Sequence, residues 1–80
     1  MGDNMDEVKT IQGMELPIIN KGDSNQYVKL LQVLLNANGF DCGKVDGIFG
    51  DRTQKQLLAF SNYKYESTNI YVWYDLFNKL

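Results

Sequence analysis

The amino-acid sequence predicts an all-α fold, a compact three-helix bundle. Apolar residues recur at helical 3-4-7 spacing in separate segments, and turn-forming residues punctuate those segments. The segment FDCGKVDGIFG (residues 40–50) combines three glycines with Val45, Ile48 and Phe49, which predicts a packed loop between the first two helices.

Residues 1–14 are polar and acidic without sustained periodicity, and read as a flexible N-terminal arm or linker. A folded domain is expected over 15–80. Its first piece, Glu15 to Ile19, is apolar and extended, because Pro17 pushes Leu16 away from helical geometry. It should lie across the bundle and seal one edge of the core.

Lys21 to Ser24 then form a turn. Asp23, with Gln26 three residues on, has the spacing of a capping box for a helix reaching about Asn38. Val28, Leu31, Leu34 and Leu35 make its apolar face, and Gly39 suits the left-handed C′ position. The second helix starts at Asp51, whose charge favours a helix N-terminus, and reaches about Asn62. Thr53, Leu57 and Phe60 line one side of it. After a connection without Gly or Pro, the third helix runs from about Val72 to Leu80, burying Trp73, Leu76, Phe77 and Leu80.

Composition narrows the function. Eighty residues form at most one small domain. Net charge is −2, carried by residues 1–17 at −3 against +1 for 18–80. Without a basic face, nucleic acid is an unfavourable partner. No apolar run approaches the ~20 residues of a membrane span. The N-terminus lacks a secretory signal, so work outside a cell would need release by lysis or export through a parent protein. With no His and the single Cys42, neither a structural zinc site nor a His-activated thiol is available. The 40–50 loop also fails as a calcium-binding EF-hand, since Arg52 stands where a bidentate Glu is required. No metal and no cofactor are therefore expected.

The ordered residues resemble a known family. Gly22 precedes Val28, Leu31, Gln32 and Leu35, followed by Gly39-Phe40. Next come Asp46-Gly47-Ile48-Phe49-Gly50, Thr53 and Phe60, and later Trp73 and Leu76. This pattern is similar to the peptidoglycan-binding domains of amidases, carboxypeptidases, cortex-lytic enzymes and phage endolysins. The likeness extends from Leu16 to Leu80. It departs at Ser61, where the family has Gln, and in the second loop. Sliding the loops together sets Asp46, Gly47, Gly50 and Thr53 opposite Tyr65, Glu66, Asn69 and Val72, of which only Asn69 keeps an aptitude for positive φ.

The resemblance implies a non-catalytic module that targets a wall hydrolase, in the same or a partner chain, to bacterial peptidoglycan. It leaves open whether glycan or stem peptide is held. The motif residues read first as structural: Asp46-Gly47 as a turn, Phe49 as a core plug, and Thr53 as a partner for the loop backbone. Ligand contact is better placed on the aromatic excess. Tyr63, Tyr65, Tyr71 and Tyr74 fall outside the buried stripe and would offer apolar faces to sugar rings. Asn62 and Asn69 supply amide groups, and Lys44, Arg52 or Lys64 would meet a stem-peptide carboxylate.

Two other readings use the same bundle. Exposed tyrosines and the Leu16–Ile19 strip would serve a protein-docking or self-association module. Asp46 and Asp51 would be the best carboxylate pair for glycoside hydrolysis, although so small a bundle offers little room for a deep cleft.

Overall fold

The computed structural model describes residues 10–11 and 14–79. The remainder of the 1–14 arm, and Leu80 of the predicted third stripe, lie outside the described residues. Two short strands, β1 (Thr10–Ile11) and β2 (Met14–Glu15), pair antiparallel, with Thr10 opposite Glu15 and Ile11 opposite Met14. Three helices follow: α1 (Gln26–Ala37), α2 (Asp51–Phe60) and α3 (Ile70–Asn78). The described residues thus form the expected three-helix architecture.

Helix α1 is the hub and packs on both other helices. Its stripe of Val28, Leu31 and Leu35 is fully buried, with Leu34 nearly so. Leu57 from α2, and Val72, Trp73 and Leu76 from α3, complete the core together with Phe49 from the loop and Ile19 from the leading strip.

The helix ends refine the expectation. Asn25, not Asp23, caps α1: its side-chain oxygen accepts from the backbone N–H groups of Tyr27 and Val28 at 2.9 and 3.1 Å. Asp23 closes the preceding turn instead, accepting from the Asn20 N–H at 2.8 Å. The amide oxygen of Asn25 reaches the helix directly, whereas Asp23 is held two residues back by its own turn. At the other end, the Phe40 N–H donates to the Leu35 carbonyl at 2.8 Å and that of Gly39 to Asn36 at 3.0 Å. This Schellman closure needs the left-handed Gly39, at φ +90°.

Helix α2 stops two residues earlier than expected. Asn62 (φ 58°) and Tyr63 (φ 65°) both turn left-handed, and the Tyr63 N–H donates to the Leu58 carbonyl. A Schellman closure without glycine was not legible, although Asn is the residue best able to replace Gly at C′. Helix α3 starts two residues earlier than expected, because Asn69 is its cap. That side chain accepts from Tyr71 and Val72 N–H at 2.8 and 2.9 Å, and its φ of −151° is extended rather than positive.

The strip from Leu16 to Ile19 is tied down as expected, through a residue the sequence did not flag. Thr68 is buried; its hydroxyl donates to the Pro17 carbonyl at 3.1 Å and accepts from the Ile19 N–H at 2.8 Å. Its own N–H donates to the Ile19 carbonyl, and Trp73 Nε1 donates to Pro17 at 2.8 Å. Of the strip, Ile19 is buried, Leu16 packs on the core and Ile18 is exposed.

The proposed offset between the two loops reappears in space. Gly50 and Asn69 are both N-caps, so α2 and α3 start at equivalent positions. Phe49 pairs its backbone with Gly22 and Asp23, while Thr68 pairs with Ile19.

Glycine tolerance separates two sites. An added Cβ at Gly39 meets nothing within 4 Å, so Gly39→Ala pays only the left-handed strain, about 1 kcal/mol. Gly47 has φ +79°, and a Cβ there would lie 3.1 Å from Lys29 Cγ and 3.3 Å from the Asn25 carbonyl oxygen. Gly47→Ala should therefore lower the urea midpoint clearly more than Gly39→Ala does; equal losses would contradict the close approach.

Candidate functional site

The loop from Phe40 to Gly50 is organised around one buried amide. Gln32 projects from α1 and is 1% exposed. Its Nε2 donates to Thr53 Oγ1 at 3.0 Å, and to Asp46 Oδ1 and the Ile48 carbonyl at 3.1 Å each. Its Oε1 accepts from the backbone N–H groups of Asp46 and Gly47 at 3.1 and 3.0 Å. A glutamine is well suited here, since one amide end donates while the other accepts. The Asp46 carboxylate adds a turn bond from the Ile48 N–H at 3.0 Å. Thr53 thus reaches the loop through Gln32, and Phe49 is buried beneath it, 1% exposed.

This network explains the electrostatics. The Ile48 N–H and then the Gln32 amide hold the Asp46 carboxyl below its ordinary pKa. The Lys21 ammonium, bonded to Asp51, does the same there. A carboxyl with a depressed folded-state pKa contributes stability above its unfolded pKa and loses it as pH falls through the folded value. The two groups should therefore destabilise the fold progressively below about pH 4. Asp46→Asn keeps an acceptor for Ile48 and should make that acid loss shallower in urea titrations at pH 7 and pH 3. An unchanged acid loss would count against Asp46 as a contributor.

Asp46 and Asp51 line one shallow cleft of about 320 Å³ with Lys44, Arg52 and Cys42. Both carboxyls are driven toward ionisation, whereas glycoside hydrolysis needs one kept protonated. Burial pushes the Cys42 thiol up to about 11, so at neutral pH it is a protonated, weak nucleophile. Arg52 is engaged by Asp41, with an ion pair at 3.3 Å and a donation from Nε to the Asp41 carbonyl.

A second cleft, about 300 Å³, opens between the end of α2 and the outer face of α3. Asn62, Tyr65 and Tyr71 line it together with Lys64, Asp75 and Lys79. Phe60 is part of the lining; its ring packs edge-on against Phe40 at 5.5 Å, and Lys79 Nζ stands 5.7 Å from its centroid. The structure therefore gathers four of the expected ligand residues, Asn62, Lys64, Tyr65 and Tyr71. Lys44 and Arg52 sit on the first cleft instead. Tyr63 and Tyr74 are exposed outside the lining, and the Asn69 side-chain oxygen is committed to its cap. Asp75 and Lys79 went unnoticed in the sequence. Their signal was available: Tyr71, Asp75 and Lys79 recur every fourth residue along one face of α3.

The profile of the family described as "Putative peptidoglycan binding domain" matches residues 24–62. The match takes in α1, the Gln32-centred loop and α2, so the matched segment is the buried scaffold just described. It is shorter than the resemblance read from Leu16 to Leu80. The second cleft straddles its limit, with Phe60 to Asn62 inside and the α3 wall beyond. Among the described residues, no helix is long and apolar enough to cross a membrane, and no acidic or sulfur cluster could hold a metal ion.

Proposed function

We propose that this chain is a non-catalytic module that binds bacterial peptidoglycan and holds a wall hydrolase, such as an endolysin or amidase, on its polymer. The family match over residues 24–62 carries this reading. A hydrolase domain in the same or a partner chain gains local concentration from such a tether, even when the module alone binds modestly. Access to the wall would follow from lysis or from export through a parent protein.

The binding face is assigned to the second cleft and its rim. Tyr63 supports this choice. It is 76% exposed and left-handed at φ 65°, so neither burial nor backbone preference accounts for a tyrosine there. An exposed phenol ring with Asn62 beside it suits a sugar face and its polar substituents.

Cosedimentation with purified bacterial wall tests the function directly. Failure to sediment with any wall type would end the proposal. Tyr63→Gly adds a test of the face. Relief of left-handed strain offsets the added chain entropy, so stability should stay within about 0.5 kcal/mol. Wall binding should nevertheless fall several-fold, and undiminished binding would remove Tyr63 from the face.

A further inference from the structure

We infer that the cleft between α2 and α3 takes the stem peptide of the wall polymer, in particular an uncrosslinked segment bearing carboxylates and a free amine, while the tyrosine rim faces the glycan. This inference rests on the wall-binding reading above. The observation is one of charge. Lys64, Asp75 and Lys79 line the same cleft. Among the described residues, the ion pairs are Lys21 with Asp51 and Arg52 with Asp41, so none of these three charges has an ionic partner among them.

A neutral sugar seated in the cleft would offer these three charges hydroxyl and amide hydrogen bonds but no opposite charge. A peptide segment with carboxylates and an amine would pair with each of them. Its carboxylates would receive charge-assisted hydrogen bonds from the lysines, and its ammonium would donate to Asp75. The backbone sets where these charges start. Lys79 is parked beside the Phe60 ring, and its own N–H donates to the Asp75 carbonyl at 3.1 Å, on the same turn of α3. Lys64 follows directly on the two left-handed residues, and its backbone N–H donates to the Ser61 carbonyl at 3.2 Å. Two cations and an anion thus line one opening, on a wall that lies largely beyond the family match.

The test compares sedimentation of the full chain with three materials: intact wall, wall whose free amines have been acetylated, and glycan strands from which an amidase has removed the peptides. Binding to intact wall that drops at least fivefold on the stripped strands supports the inference. A smaller drop on acetylated wall, matched by Asp75→Asn on intact wall, supports the amine contact. Lys64→Gln, on an exposed loop side chain, should weaken binding to intact wall with an unchanged melting temperature. Equal binding to intact wall and stripped strands would overturn the peptide assignment and leave wall binding standing. Absence of binding to every material would remove both.

Discussion

Trp73→Ala is expected to lose about 3–5 kcal/mol of folding stability. Trp73 is fully buried at the centre of the core, where α3 meets α1 and the leading strip. Its removal would leave a cavity bounded by elements that cannot all collapse inward, and would cut the Nε1–H bond to Pro17. A domain of this size has roughly 4–12 kcal/mol in total, so the variant should be close to unfolded at ambient temperature. Trp73→Phe separates packing from bonding. The ring is largely retained, and the Pro17 carbonyl still accepts from the Thr68 hydroxyl, so the loss should be about 1–2 kcal/mol. Since Trp73 is the sole tryptophan, far-UV circular dichroism in urea is the suitable measurement. A Trp73→Ala protein as stable as the parent would refute this account of the core.

Gln32→Leu should be comparably damaging, by about 3–4 kcal/mol, through a different mechanism. The leucine fills most of the space, but the N–H groups of Asp46 and Gly47 lose their acceptor, and Thr53 loses its donor. Each buried group left unpaired costs about 1–3 kcal/mol. Gln32→Glu is more diagnostic. One carboxylate oxygen would still accept from both N–H groups, while the other would face Asp46 Oδ1, where the amide now donates at 3.1 Å. Repulsion favours the protonated form of such a glutamate, raising its folded-state pKa. The sign follows: its deficit relative to the parent should be largest at pH 7 and shrink as pH falls toward ~4. A deficit independent of pH would mean that the two carboxylates do not meet.

Much of this fold was legible because periodic signals are local. The stripe of Val28, Leu31 and Leu35 reports burial along one helix face, and Asp46-Gly47 and Gly39 declare their turns by residue type. The misplaced boundaries share one cause. Asp23, Ser61 and Asn69 each have several local uses, and the choice among them depends on which N–H groups the fold leaves without partners. Thr68 shows the same limit more sharply. A threonine in a polar loop gives no hint that its hydroxyl will be buried and clamp Pro17 and Ile19, because those partners are about fifty residues away in sequence.

The candidate site divides in the same way. Tyr65, Tyr71 and Asn62 drew notice by residue type alone. Their assembly into one cleft, the diversion of Lys44 and Arg52 to another, and the recruitment of Asp75 and Lys79 depend on how α3 is set against the end of α2.

By itself, then, the sequence determined the helical architecture, the three apolar stripes and the family motif, all carried by spacing along the chain. Tertiary structure alone decided which polar groups are bonded inside the fold and which are left at its surface. The reason is that a hydrogen bond or an unpaired charge is a property of two positions in space, and Gln32, Thr68 and Lys79 meet their partners only after the helices have packed.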